Sequence, residues 1–188
     1  KFATVKRWPY NTENDVHFKK LVQEKGGHPF WEEIDFEVDM MIENPEDHVR
    51  DWICVGASSL IVHIGSTQRI DEIIDIAREK HVGVGLALRP NTPNETLDPW
   101  IDQINFVQFM GNQKIGYHGV ALDRSVLDKI RDLRSMHEGL IIGVDIGVTL
   151  ETAPLLVDAG ANKLVSGSTI YKSEDIEKTI DTLRSLGD

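Results

Sequence analysis

The sequence predicts an α/β fold built on a parallel β-sheet, and two observations support this prediction. From residue 37 onward, short apolar runs alternate with longer amphipathic segments, which is the pattern of repeated strand and helix units. The apolar runs contain few polar residues, as expected for parallel strands that helices cover. The chain has 188 residues, of which 40% are hydrophobic and 27% charged, and this suits one globular domain over residues 1–188.

Six apolar runs are predicted strands: "EVDMMI" (37–42), "LIVHIG" (60–65), "VGVGLAL" (82–88), "FVQFM" (106–110), "LIIGVDI" (140–146) and "KLVSGS" (163–168). Before them the sequence predicts one helix, from about Glu13 to Glu24, and no strand of comparable strength. A loop that feeds a helix with no strand before it suggests that an earlier strand is missing from the chain.

Helix signals fill the segments between the strands. Asn44 is a predicted cap with Pro45 at the first helical position, and Ser125 and Ser173 are the predicted caps of two later helices. We interpret three apolar stripes as core packing: Ile70, Ile73, Ile74 and Ala77; Val126, Leu127, Ile130 and Leu133; and Ile176, Ile180 and Leu183.

The composition excludes several classes of partner. A formal net charge of −11 would repel a nucleic-acid backbone over most of the surface, although local cationic pockets remain open. Cys54 is the only cysteine, which rules out an internal disulfide, favours a reducing cytoplasm and suggests a buried, inert thiol. No apolar run approaches the roughly 20 residues that a membrane helix needs. We therefore expect a cytoplasmic protein with neither a nucleic-acid nor a membrane partner.

Two of the last strands end in residues suited to chemistry on an anionic substrate. Asp145 follows an apolar strand and is a candidate general acid/base or metal ligand, and Gly147 lets a backbone amide approach an anion closely. Gly167 and Ser168 end the last strand in a turn that presents amides and a hydroxyl to a phosphate. Such a turn alone is more often an ordinary turn, but the pair at successive strand ends indicates a phosphate site.

Several longer segments carry a family resemblance over nearly the whole chain. They include "VDMMIENPEDH", "GVGLALRPNTP", "IGYHGVALDRSVLDKIRDLR", "VDIG" and "DAGANKLVSGSTIY". In this order they resemble the ribulose-phosphate 3-epimerase family, a TIM (β/α)8 barrel of the ribulose-phosphate-binding superfamily. The resemblance implies that the six predicted strands are strands three to eight of the barrel. Because six strands cannot close it, we expect roughly 35 to 40 residues before Lys1, or a partner segment that supplies the two strands.

The resemblance implies interconversion of D-ribulose 5-phosphate and D-xylulose 5-phosphate through an enediolate. In that family two aspartates serve the two faces of C3, and a divalent metal (Zn, Mn, Fe, Co or Mg) polarises the carbonyl. Asp145 falls on one catalytic aspartate, which is also a metal ligand. Asp39 falls on a metal-binding histidine, and this exchange of nitrogen for oxygen would favour Mg²⁺ or Mn²⁺ over Zn²⁺, or abolish the site.

The remaining implied site residues bind the substrate and its phosphate: Met41, Gly116, Tyr117, His118, Gly119, Ile146, Gly147, Gly167 and Ser168. Ile146 and His118 each stand where the family has glycine. Met41 and Met110 are otherwise interpreted as core packing, and His63 as a hydrogen-bonded core histidine. Asp39 needs a partner if it is buried, and is otherwise a surface-facing strand end.

Two alternative functions remain open at this point. One is a non-catalytic or truncated phosphate-binding barrel with a degenerate metal site, which the absence of a second catalytic aspartate supports. The other is a keto-sugar-phosphate decarboxylase of the same superfamily, but its Asp-x-Lys-x-x-Asp pattern does not occur in this sequence. The expected partner is a small sugar phosphate. The sequence does not fix the oligomeric state, and a homo-oligomer is one open alternative.

Overall fold

The chain consists of two compact units, here called the first and the second unit. The first comprises the residues up to Leu86 together with Trp100–Ile104, and the second comprises Ala87–Pro99 and the residues from Asn105 onward. A computed structural model describes residues 16–24, 27, 30, 32–117 and 119–187. The predicted helix start near Glu13 lies outside these residues.

All six predicted strands are present: β1 (Phe36–Met40), β2 (Ala57–His63), β3 (Gly83–Leu88), β4 (Phe106–Met110), β5 (Ile141–Asp145) and β6 (Lys163–Val165). In the first unit the strand order is β1, β2 and the start of β3, and β1 runs parallel to β2. In the second unit the end of β3 is followed by β4, β5 and β6, and both β4–β5 and β5–β6 are parallel. The sheet order therefore follows the chain order, as repeated strand and helix units require.

Helices lie before, between and after the strands, except that the connection from β3 to β4 carries only a 3₁₀ turn at Asn94–Leu97. The first unit contains α1 (Val16–Glu24), α2 (Val49–Cys54) and α3 (Ile70–Glu79). The second unit contains α4 (Ser125–Met136), α5 (Ala153–Asp158), α6 (Ser168–Tyr171) and α7 (Ile176–Arg184). The last strand ends at Val165, earlier than predicted, because Ser168 begins α6 instead of continuing β6.

The apolar stripes of α3 and α4 lie in the core, as predicted. Every residue of the two stripes is buried. The stripe of α7 differs, because Ile176 is 43% exposed while Ile180 and Leu183 are half-buried. The buried position of α7 is Thr179, whose hydroxyl donates to the Asp175 carbonyl at 2.8 Å and so has its polar group satisfied in the core.

Two of the three predicted helix caps were wrong. Asn44 is at the predicted cap position, before a short 3₁₀ turn at Pro45–Asp47, but its backbone is left-handed and its side chain makes no cap hydrogen bond. Ser125 is inside α4, where its amide and hydroxyl both donate to Asp123 Oδ1, at 3.0 and 2.7 Å. Asp175 caps α7 by accepting from the Lys178 amide at 2.9 Å. In the latter two cases a nearby carboxylate, a stronger acceptor than a hydroxyl, takes the amide.

Two further expectations concern the burial of Cys54 and the presence of membrane-spanning helices. Cys54 is half-buried rather than buried, and its thiol donates to the Val22 carbonyl at 3.5 Å. Within the described ranges, no helix combines the length and the apolar character needed to cross a membrane.

Candidate active site

The Asp145 carboxylate lies at the carboxyl end of β5, with its position fixed by the backbone around it. Asp145 pairs with Met110 of β4 and with Val165 of β6 in the sheet register. Its Oδ1 accepts from the Ile146 amide at 2.8 Å, and its carbonyl accepts from the Gly111 amide at 2.6 Å. The half-buried side chain therefore has a defined orientation at the edge where ligands bind in parallel α/β folds.

The turn after β5 has a left-handed backbone at two successive residues, with φ of 74° at Ile146 and 76° at Gly147. A β-branched residue in this region is an outlier that costs on the order of 1–3 kcal/mol. A Cβ at Gly147 would lie 2.7 Å from the Leu122 backbone, and one at Gly111 would lie 1.9 Å from the Ile146 carbonyl oxygen. Glycine is thus required at both places, because Leu122 packs against the turn at Gly147 and Gly111 packs against it at Ile146.

The turn after β6 is tied to the turn after β5 by two hydroxyls. Ser166 Oγ and Thr169 Oγ1 both donate to the Val148 carbonyl, at 3.1 and 2.8 Å. In the part of the chain that the structure describes, the amides of Gly147, Gly167 and Ser168 donate no hydrogen bond. The two predicted small-residue turns are therefore neighbours with amides available to an anion, whereas the Ile146 amide is already used by Asp145.

The glycine-rich loop between β4 and α4 joins this region at its base. Asn112 Nδ2 donates to the Ala121 carbonyl at 2.9 Å, and the Asp123 amide donates to the Gly111 carbonyl at 2.7 Å. Gly116, Tyr117 and Gly119 form an exposed tip, and the Tyr117 side chain is 69% exposed. His118 lies outside the described residues. A phosphate-binding role for this tip stays a prediction.

The first unit brings Asp39 and His63 together. His63 Nε2 lies 2.7 Å from Asp39 Oδ1, with side-chain exposures of 1% and 21%. The interpretation of His63 as a buried, hydrogen-bonded histidine is confirmed, and Asp39 has the partner that its partial burial requires. Met41, which follows β1, is half-buried, and its amide donates to the Asp39 carbonyl at 3.1 Å.

The methionine of β4 is a core residue. Met110 has no exposed surface, and its sulfur lies 3.9 Å from the Gln108 carboxamide nitrogen. Gln108 itself is 1% exposed, and its Oε1 accepts no hydrogen bond from the described residues. Sequence reasoning did not single out Gln108, although a lone amide in the apolar run "FVQFM" was a usable signal.

Lys129 is a second residue that the sequence reasoning missed. From α4 its ammonium donates to the carbonyls of Arg89, at 3.0 Å, and Thr92, in the loop after β3. It also lies 5.2 Å from the centre of the Phe109 ring. Burial lowers the pKa of Lys129 to about 8, against a smaller opposing attraction from Glu95. A lysine on an amphipathic helix is usually solvated, so the sequence carried no signal for this contact.

Comparison with known proteins identifies the family. A model described as the ribulose-phosphate 3 epimerase family matches residues 16–171. The chain belongs to the ribulose-phosphate 3-epimerase family. It is 34% identical over 157 residues to the ribulose-phosphate 3-epimerase of Bacillus subtilis, covering 81% of this chain and 72% of that protein. The Schizosaccharomyces pombe ribulose-phosphate 3-epimerase is 32% identical over 165 residues, covering 88% and 72%.

Solved structures support the same fold class for this member of the ribulose-phosphate 3-epimerase family. A 3-hexulose-6-phosphate synthase from Salmonella typhimurium matches with a TM-score of 0.69 at 13% identity, over 90% of this chain and 79% of that one. A tryptophan synthase α-subunit from Pyrococcus furiosus matches with a TM-score of 0.62 at 19% identity, over 93% and 74%. At such identities these likenesses show the fold alone, a TIM-barrel-like α/β fold. Membership of an epimerase family favours an enzyme over the non-catalytic alternative.

Proposed function

We propose that this chain interconverts D-ribulose 5-phosphate and D-xylulose 5-phosphate at C3, with Asp145 as one acid/base. The observation that carries the proposal is the Asp145 carboxylate at the end of β5, next to two hydroxyl-tied turns whose Gly147, Gly167 and Ser168 amides are available. The family match and the 28–34% identical epimerases support this substrate.

Asp145 is suited to remove the C3 proton. As the carboxylate takes the proton, the C–H electron pair forms the C2–C3 double bond, and negative charge develops on the C2 oxygen of the enediolate. The Ile146 amide holds Oδ1, which fixes the carboxylate relative to the substrate. Return of a proton to the opposite face of C3 inverts the centre, and this step requires a second acid.

The phosphate of the substrate is proposed to lie against the amides of Gly147, Gly167 and Ser168. These groups need no rearrangement to donate, because the hydroxyls of Ser166 and Thr169 already hold the two turns on the Val148 carbonyl. Gly116, Tyr117, His118 and Gly119 are proposed to help bind the phosphate from the loop after β4. Ile146 is not proposed as an amide donor.

A divalent metal is implied by the family, and the donors only partly fit one. Asp145 is proposed as a metal ligand in the second unit and Asp39 as one in the first, and carboxylates suit Mg²⁺ or Mn²⁺ better than Zn²⁺. Asp39 Oδ1 is engaged by His63, which leaves Oδ2 for a cation. Among the described residues, no group of three or more His, Cys, Asp or Glu side chains is placed to hold a metal. When bound, the ion would stabilise negative charge on the substrate carbonyl oxygen.

The six strands are proposed to be strands three to eight of a (β/α)8 barrel. A cytoplasmic location also stays a proposal, since the relatives include a cytoplasmic isoform from rice and a chloroplastic enzyme from Arabidopsis thaliana. The same holds for a homo-oligomer and for the absence of nucleic-acid and membrane partners.

The test is an epimerase assay on D-ribulose 5-phosphate, with and without chelator, using Asp145→Asn. This variant keeps an oxygen for the Ile146 amide and loses the base, so kcat should fall by about 10²–10⁴-fold. The matched control is Asp128→Asn on the exposed face of α4, where the carboxylate pairs with Arg131 at 2.7 Å. Unchanged turnover in Asp145→Asn would remove the catalytic assignment. Phosphate-analogue binding without turnover in the wild type would favour the non-catalytic barrel.

A further inference from the structure

Ile146 carries a backbone conformation that its side chain disfavours. Its φ is 74°, and the other described non-glycine residues with positive φ are Phe30, Asn44 and His81. None of these three is β-branched, and the second methyl-bearing branch on Cβ is what makes the left-handed region unfavourable for isoleucine. A glycine at this place would adopt the same turn without strain.

The contacts that hold this turn do not require an isoleucine side chain. The Ile146 amide donates to Asp145 Oδ1, its carbonyl packs against Gly111, and the next residue packs against Leu122. The first two contacts are made by backbone atoms of Ile146 and the third by Gly147, so none of them uses the Ile146 side chain. The fold would therefore keep the turn with glycine, and a strained residue whose side chain these contacts do not require points to a role for that side chain when substrate is bound.

The position of Ile146 indicates which part of the substrate it meets. Asp145, on one side, is the proposed base at the reacting carbon, and Gly147, on the other side, offers an amide to the phosphate. The half-buried Ile146 side chain follows the last residue of β5, at the ligand-binding edge of the strand. Since its own amide is occupied by Asp145, the residue can offer a substrate its apolar side chain, here called the apolar wall, but no amide donor.

We propose that Ile146 is a specificity-determining residue that limits the length of carbon chain between the reacting carbon and the phosphate. An added CHOH group at this wall would meet apolar surface with no acceptor or donor for its hydroxyl. The side chain thus selects five-carbon 2-ketose phosphates against six-carbon 2-ketose 6-phosphates. This inference rests on the proposed function, because it takes a ketose phosphate as the substrate.

The test compares wild type with Ile146→Gly on D-ribulose 5-phosphate and on a six-carbon 2-ketose 6-phosphate. Relief of strain should raise the thermal midpoint of Ile146→Gly by roughly 2 °C or more. The ratio of kcat/KM for the six-carbon over the five-carbon substrate should rise by about tenfold or more. Ile146→Ala should show an intermediate ratio, and it replaces the glycine variant if that one fails to fold.

The matched control is His81→Gly in the first unit, where φ is 56° and the residue is exposed after α3. It should gain stability with no change in the substrate ratio. A more stable Ile146→Gly with an unchanged ratio would overturn the inference. If the wild type turns over neither substrate, the proposed function fails, and the ratio of the two dissociation constants by calorimetry decides the inference in the same way.

Discussion

At Gly147 a left-handed backbone, a close neighbour and an available amide coincide. Substitution by alanine would place a Cβ 2.7 Å from the Leu122 backbone at a φ of 76°. We expect Gly147→Ala to lower the free energy of unfolding by roughly 1–3 kcal/mol, because Leu122 and the turn must both shift. Urea unfolding measures this loss.

The same variant should raise the KM for the sugar phosphate, since the shifted turn misplaces the amide. Gly139→Ala is the control, because a Cβ there meets nothing within 4 Å. That change should leave stability within about 0.5 kcal/mol and KM unchanged. Equal behaviour of the two variants would contradict the role assigned to the turn.

The sequence singled out Asp145, Gly147, Gly167 and Ser168 as site candidates because each lies at or just after the end of a strand, where position along the chain implies position in space. The contact between Asp39 and His63 was not predictable in the same way. It depends on the register in which Asp39 lies beside Ile61, and register is not readable from two separate apolar runs. The left-handed Ile146 was also hidden, because isoleucine normally signals an extended backbone.

At the scale of elements, the cap of α7 offers a direct test of which side chain starts the helix. Asp175 accepts from the Lys178 amide, whereas the Ser173 hydroxyl donates to the Ile170 carbonyl at 2.7 Å, outside the helix. Asp175→Ala should lower the free energy of unfolding by about 1 kcal/mol. Ser173→Ala should cost less than half of that in the same chemical denaturation experiment, and the reverse order would show that serine is the cap.

The contact between α4 and the loop after β3 should make stability depend on pH. Burial lowers the pKa of Lys129 from 10.5 to about 8 in the folded state. Between these two values the unfolded chain binds the proton and the folded chain does not, so stability rises with pH. Wild type should therefore gain stability relative to Lys129→Met between pH 7.5 and 9.5.

Urea unfolding at each pH gives the difference in free energy of unfolding between wild type and Lys129→Met. The other titratable groups are common to both proteins, so their effect cancels in this difference. Lys129→Arg is the control, since its charge persists throughout this range. A difference that stays constant with pH would show that the amine remains protonated in the folded state.

Strands were predicted better than the ends of helices. Every strand was found because an apolar run is a property of the segment as a whole, and it marked even β1 and β6, which are only partly buried. A cap depends on which of several nearby oxygens accepts a hydrogen bond from a free amide at the helix start. At the start of α4 that acceptor is the Asp123 carboxylate, which binds the Ser125 amide, and not the predicted Ser125 hydroxyl. In α7 the apolar period alone placed Ile176 in the core, although Thr179 is the residue that the fold buries.

For the molecule as a whole, ligand binding should appear as thermal stabilisation. A ligand at about 100 times its dissociation constant adds roughly 2.7 kcal/mol by mass action. In a chain of this size that corresponds to a rise in the thermal midpoint of roughly 5–10 °C. Scanning fluorimetry with increasing ribulose 5-phosphate measures the rise, and Gly147→Ala should need a higher concentration for the same shift. The highest concentration to test is about 10 mM, which corresponds to the weakest useful dissociation constant. If the thermal midpoint does not rise up to that concentration, the result would argue against a sugar-phosphate site.

The packing of the Ile146 carbonyl against Gly111 has an evolutionary and engineering consequence. With no room for even a methyl group between them, the loops after β4 and β5 cannot diverge independently. Across related sequences, a residue other than glycine at position 111 should occur only where the peptide after position 146 is oriented differently. A loop transplanted alone from a relative should therefore fail, while the two exchanged as a pair should be accepted.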